Sequence, residues 1–282
     1  MTKITPLAVC ISCLSNAVFA DETALEAFIG HAADAQIVVL GEVHDNPGHH
    51  ENQARIVEEL QPGALVFEMI DQEDEDLVND LRKAGAGRAK LAEALDWENS
   101  GWPDFDYYAA ILEAAPFARV FGAGQSPEDI RTAATEGAAK AFGVHSATYG
   151  LEQPFSEADQ KLRELEMMES HCNALPEVML PGMVEVQRFR DAGLADAALW
   201  ARNHVGEDGR VVVITGSGHA DARFGAPALM RLAEPEVSVL TLGQGEGPQP
   251  EDREFDAWMT APAPDRDDPC DAFDDGGSTE VE

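Results

Sequence analysis

Five short apolar runs punctuate the chain beyond its first thirty residues. They are Ile-Val-Val-Leu at 37–40, Ala-Leu-Val-Phe at 64–67, Ala-Arg-Val-Phe at 118–121, Val-Val-Val-Ile at 211–214 and a six-residue segment at 237–242. Each is too short for a helix of ordinary length, and four abut glycine directly while the fourth run is followed by Thr215-Gly216, which is the signature of strands buried on both faces. Before and between them lie stretches with helical spacing: 21–30, 49–60, 73–84, 88–95, 105–115, a segment opened by Ser126-Pro127, then 157–172 and 181–204. Asn46 ahead of Pro47 and Ser126 ahead of Pro127 are the cap-and-proline pairs that start helices. Strands that alternate with helices predict a single α/β domain with a mainly parallel central sheet flanked by helices. This domain is expected over residues 21–262. The aromatic segment at 255–259 is expected to dock on its body, and 263–282 reads as an acidic, flexible tail.

The beginning of the chain is read as a targeting segment. Lys3, an apolar stretch over 4–14 and Val18-Phe19-Ala20 before Asp21 predict a signal peptide over residues 1–20. Its apolar stretch is shorter than the roughly 20 residues that span a bilayer. Cys10 and Cys13 lie inside it, and Leu7-Ala8-Val9-Cys10 is an imperfect lipidation lead. Export places the protein in the periplasm or cell envelope, where Cys172 and Cys270 can form a disulfide. The formal charge is −34, from 19 Lys+Arg against 53 Asp+Glu. Such a coat repels nucleic acid and anionic lipid, so no nucleic-acid partner is expected.

Two of the strands end in the same way. Gly41-Glu42-Val43-His44 follows the first run, and Gly216-Ser217-Gly218-His219 follows the fourth. In parallel sheets ligands bind beyond the carboxyl ends of the strands, so the two histidines are expected to converge. The second strand adds Glu68, a carboxylate on an apolar run that is unfavourable to bury without a partner. Glu42, His44, Glu68 and His219 offer three readings: ligands for a divalent metal, a metal-free acid–base set, or a hydrogen-bonded network that only joins loops.

Trp97, Trp102, Tyr107 and Tyr108 fall within a dozen positions. They suit a flat apolar ligand, and a phenolate oxygen can ligate haem iron. A satellite hydrophobic cluster is the plain alternative. Of His49 and His50, which start a helix, at most one is expected to face the site, because adjacent helical residues point apart. His145, and His171 with Met167 and Met168, are further histidines that could reach a pocket or serve only in packing. Cys-x-x-Cys-His, Gly-x-Ser-x-Gly, His-Glu-x-x-His and a phosphate loop are all missing from the sequence.

The order of these segments resembles the ChaN-like family of haem-binding uptake proteins, within the Tiki and erythromycin-esterase superfamily. The resemblance is carried by residues 40–47 with His49, His50 and Gln53, by Phe67-Glu68-Met69, by Trp97 and residues 100–103 with Tyr108, by His171-Cys172 and residues 183–191, by residues 215–219, and by the closing segments 256–260 and 268–270. It implies an exported haem-binding protein of the cell envelope that serves haem or iron uptake, with envelope haem-transport partners and a homodimer as associates. Its haem would be held by tyrosine. Tyr108 is the first choice among Tyr107, Tyr108 and Tyr149, with His44, His219 and Trp102 beside it and Arg55, Arg188 or Arg190 facing the propionates. In the wider superfamily, paired Gly-x-x-His motifs carry metal-dependent proteolysis or ester hydrolysis. That activity maps here onto Glu42, His44, Glu68 and His219, so whether the protein is an enzyme stays open.

Overall fold

The computed structural model describes residues 12–206, 209–268 and 270–271. Six strands, β1 (Ile37–Glu42), β2 (Ala64–Asp71), β3 (Arg119–Gly124), β4 (Val211–Gly216), β5 (Val239–Gly245) and β6 (Ala257–Thr260), form one sheet in the order β3-β2-β4-β1-β5-β6. Every neighbouring pair is parallel. The helices are α1 (Ser12–Ala32), α2 (Pro47–Leu60), α3 (Glu75–Lys83), α4 (Arg88–Ala94), α5 (Phe105–Ala114), α6 (Pro127–Glu136), α7 (Ala138–Phe142), α8 (Glu157–Ser170), α9 (Leu180–Val205) and α10 (Ala226–Ala233). The expected α/β architecture is therefore present, with all five predicted strands in one sheet.

All residues of β1 and β4 are buried, because helices cover both faces of the sheet. One core layer joins Val38, Leu40, Leu65 and Phe67 to α2 and α5 through Ile56, Ile111 and Leu112. The other joins Val39, Val66 and Val213 to α9 through Phe189, Leu194 and Ala195. The short β6 was not anticipated as a strand. Its aromatic, Trp258, packs over β5, where side chains would collide with its ring at Gly243 and Gly245, and its indole N–H donates to the Gly247 carbonyl (2.9 Å).

Three boundaries depart from expectation. Helix α1 runs from Ser12 to Ala32, and residues 1–11 of the predicted signal peptide lie outside the described residues, as does the tail over 272–282. Helix α8 stops at Ser170, and Cys172 and Asn173 adopt left-handed backbone conformations. Cys172 is bonded to Cys270, with Cα atoms 5.5 Å apart. The start of the predicted tail is tied to the body: Arg266 pairs with Asp45 (3.0 Å) and Glu246 (2.8 Å). No described helix is long and apolar enough to cross a membrane.

Candidate functional site

Strands β1 and β4 pair in register, with Gly41 opposite Thr215 and Glu42 opposite Gly216. The two Gly-x-x-His turns are therefore neighbours, and they interlock. A Cβ on Gly41 would lie 2.7 Å from Ser217 Oγ and 2.9 Å from Ser217 Cα, and a Cβ on Gly216 would lie 3.0 Å from His44 Nε2. The first glycine of each motif leaves room for the loop of the other.

Glu68 joins them from the adjacent strand. Pairing of β2 with β4 stops at Phe67, and the register of β2 against β3 shifts between Phe67 and Asp71. Such irregularities re-aim side chains beside sites. Glu68 Oε2 accepts from Thr215 Oγ1 (2.7 Å) and from the Gly216 N–H (2.9 Å), and Oε1 lies 3.4 Å from His219 Nε2. On its other side His219 Nδ1 donates to Asp191 Oδ1 (2.6 Å), with the Gln187 amide nitrogen 3.1 Å from that ring atom. His219 thus lies buried between two carboxylates. Burial alone would lower its pKa, but the charges of Glu68 and Asp191 outweigh this and hold the imidazolium above its ordinary range. Burial likewise disfavours the Glu68 carboxylate, yet His219 and the Gly216 N–H keep its pKa far below the usual range. Asp191 is pushed up by burial, against the pull of His219.

Glu42 organises the first turn. Its Oε1 accepts from Tyr108 (2.9 Å) and from His44 Nδ1 (2.9 Å), and its Oε2 accepts from Gln53 (2.8 Å). His44 is 36% exposed and meets Trp102 edge-on, with ring centroids 5.0 Å apart. Burial pulls its pKa down, but the Glu42 hydrogen bond and the nearby Glu68 charge raise it overall. His49 and His50 point apart, as expected of neighbours on a helix, but neither is solvated. His49 Nδ1 accepts from the Val43 N–H (2.9 Å) and Nε2 donates to the Gly245 carbonyl (3.2 Å), so the ring is a neutral tie between β1 and β5. Burial lowers its pKa, consistent with that role. His50 Nε2 donates to the His44 carbonyl (2.7 Å), its ring stacks on Tyr107, and its buried Nδ1 has no hydrogen-bond partner.

The structure therefore brings Glu42, His44, Glu68 and His219 to one sheet edge, and it rearranges the expectations around them. They do not form a metal cage. Both Glu42 oxygens, Glu68 Oε2 and His219 Nδ1 are committed to protein groups, and among the described residues no group of three His, Cys, Asp or Glu side chains is arranged to hold a metal ion. Tyr108 is 1% exposed and its hydroxyl donates to Glu42. Burial and the Glu42 charge raise its pKa, so the phenol is kept protonated and away from the surface. Tyr149 is buried with its hydroxyl on Asp196 (2.8 Å). Tyr107 is half-buried, and its hydroxyl bonds to no described group. His145 is exposed, and the His171 ring caps the Met167 carbonyl (2.8 Å) outside the cluster. Asp191 was missed as a site residue. A signal existed, since Gln187 and Asp191 fall one helical turn apart on the α9 stripe that also carries Val184.

Tyr107 lines a groove of about 660 Å³ between α2 and α5, with Pro47, Ala54, Ala110 and Ala114 as apolar wall and Arg55 at its margin. Of the three candidate arginines, Arg188 is committed to Glu185 (2.8 Å) and to the carbonyl of Gln153 (2.7 Å). Among the described residues Arg55 is paired only with the exposed Glu22 and Glu26, and Arg190 lies in a different cleft.

The candidate site is thus a pair of interlocked Gly-x-x-His turns at the carboxyl edge of a parallel α/β sheet. Residues 28–230 match the family model described as haem-binding uptake, Tiki superfamily, ChaN, and the chain belongs to that family. Among solved structures, the fold is similar to one described as cofacial haem binding to ChaN of Campylobacter jejuni, with a TM-score of 0.60 and 20% identity over 80% of this chain and 87% of that one. A type III effector, HopBA1, is matched with a TM-score of 0.46 and 13% identity over 85% of this chain and 93% of that one. A search of curated proteins found no match.

Proposed function

We propose that the protein is exported to the periplasm or cell envelope and binds haem for uptake, with Tyr107 as the axial ligand in the α2–α5 groove. The observation that carries this reading is the Tyr107 hydroxyl. Of the three tyrosines it is the one that is partly exposed and bonded to no described group, and it stands in a groove of suitable size whose apolar wall of Pro47 and alanines is rimmed by Glu51, Glu58, Asp106 and Glu113. His50 stacks behind its ring at 4.9 Å and holds the phenol in place. When bound, haem would supply a ferric centre suited to a phenolate oxygen. Arg55 would exchange its exposed carboxylates for a propionate, a small loss since exposed pairs contribute only about 0–1 kcal/mol. A single groove covers one face of a flat ligand. The cofacial binding described for the Campylobacter protein therefore supports a homodimer in which two copies meet across their haems, and envelope haem-transport proteins would receive or deliver the cargo.

Titration of the mature protein with haemin tests the assignment. A saturable Soret shift is expected for wild type and for Tyr108→Phe, and a lost or strongly altered band for Tyr107→Phe. An unchanged spectrum in Tyr107→Phe removes Tyr107 as ligand, and no shift in wild type removes the haem reading.

Hydrolysis by Glu42, His44, Glu68 and His219 has weaker support. Glu68 and His219 are committed to each other, to Thr215, Gly216 and Asp191, so His44 is the one member with a substantially exposed ring.

A further inference from the structure

A second concavity shares no lining residue with the Tyr107 groove. It opens beyond β2 and β3 and encloses about 280 Å³. That is below the roughly 300–1,000 Å³ of pockets for drug-sized ligands, and it is too small for a haem. Trp97, Trp102 and Leu95 contribute apolar surface, together with Ile130 and Leu194. Trp97 is fixed there by its indole N–H, which donates to the Pro103 carbonyl (2.7 Å).

The charged groups of this cleft are unbalanced. Arg190 is half-buried and its guanidinium pairs with no described carboxylate, in a chain with 53 acidic residues against 19 basic ones. Its α9 neighbour Arg188, by contrast, has an ion pair and several carbonyl partners. Glu68, Asp71 and Asp74 line the same space. Glu68 already faces His219, but the carboxylates of Asp71 and Asp74 accept no hydrogen bond from a described group. Asp71 is exposed and Asp74 half-buried; partial desolvation raises the pKa of both, and neighbouring carboxylates add to it. A simple anion would satisfy Arg190 and be repelled by the two aspartates. A simple cation would satisfy the aspartates and leave Arg190 alone. A molecule with both charges and an apolar body meets all three features.

We propose that this cleft binds a small zwitterionic α-amino acid with an apolar side chain, its carboxylate on Arg190, its ammonium facing Asp71 and Asp74, and its side chain against Trp97 and Trp102. The planar fork of Arg190 suits bidentate recognition of a carboxylate, and the tryptophans supply flat apolar surface.

Calorimetric titration of the full oxidised chain with L-phenylalanine and L-leucine provides the test, with benzoate and phenethylamine as probes that carry one charge each. Saturable binding of at least one amino acid is expected, with both single-charge probes weaker by about tenfold or more, and Arg190→Gln should weaken amino-acid binding by a similar factor. Asp74→Asn should weaken it as well. Haemin titration of each variant controls for folding and should match wild type, because the two cavities share no lining residue. The proposal is overturned if neither amino acid binds, if benzoate or phenethylamine binds as tightly as the amino acids, or if Arg190→Gln binds them as wild type does while retaining its haemin spectrum.

Discussion

The exits of β1 and β4 lie side by side and carry the same Gly-x-x-His pattern, yet His44 is 36% exposed while His219 is buried between Glu68 and Asp191. At β1 the carboxylate is held largely by uncharged donors, Tyr108 and Gln53, and the histidine is an addition at the rim. At β4 the histidine is itself the ion-pair partner of two buried acids, of which Glu68 otherwise has only uncharged donors. A motif therefore places a ring at a strand exit, and the elements packed around that exit decide its charge. Here the deciding element is α9, which brings Asp191 and Gln187 against His219 and has no equivalent over His44.

The comparison predicts very unequal mutational costs. His219→Leu leaves Glu68 and Asp191 without their cation, and removing one partner of a buried pair costs about 3–5 kcal/mol. His44→Leu should cost less, about 1–2 kcal/mol, because the buried Glu42 keeps its hydrogen bonds from Tyr108 and Gln53. Urea unfolding of both variants checks this, and equal losses would dissolve the distinction between the two exits.

The same contrast sets the pH dependence of stability. His219, held up to about 10 when folded, contributes fully below its unfolded value near 6.5, and that contribution declines as pH rises toward 10. Glu68, held low when folded, contributes fully above its unfolded value near 4.5 and loses that contribution as pH falls. Asp191 is raised and works against the acid limb. Wild-type stability should therefore be greatest between about pH 4.5 and 6.5 as far as this network is concerned. His219→Gln should flatten the decline between pH 6.5 and 10, as read by midpoints of urea unfolding at each pH. An unchanged alkaline slope in that variant would assign the slope to other groups.

The glycines sharpen the comparison further. Gly41→Ala drives a methyl against the Ser217 backbone and should cost about 1–3 kcal/mol, as overpacking does. Gly216→Ala meets the movable His44 ring at 3.0 Å and Glu68 Oε2 only at ordinary contact distance (3.8 Å), and should cost under about 1 kcal/mol. Thermal melts that reverse this order would show that the turns relax differently from the contacts described here. Smallest is the effect of Tyr107→Phe on stability, within about 0.5 kcal/mol for a substitution away from buried networks, although it is the variant expected to abolish the haem spectrum.

Much of this was legible in the residues themselves. Apolar runs of four to six residues separated by helical spacing are enough to specify a parallel sheet covered on both faces, because such strands have no solvent-facing side and need crossover helices. The glycine–histidine strand exits and Glu68 on an apolar run were likewise visible, since a buried carboxylate demands a partner. The short β6 was not legible, because four residues carry too little periodicity. Which tyrosine faces solvent was not legible either. Tyr107 and Tyr108 are adjacent in sequence, and only the docking of α5 on α2 turns one toward Glu42 and the other toward the groove. Asp191 and Arg190 differ in the same way: one rotation of α9 buries the acid against His219 and leaves the arginine unpaired in the cleft beyond β2. Pattern along the chain sets which elements form and where polar groups emerge. The partners of those groups come from other elements, from 28 residues away for His219 and Asp191 to 147 for Glu68 and Thr215, and only packing decides which of two neighbouring side chains meets them.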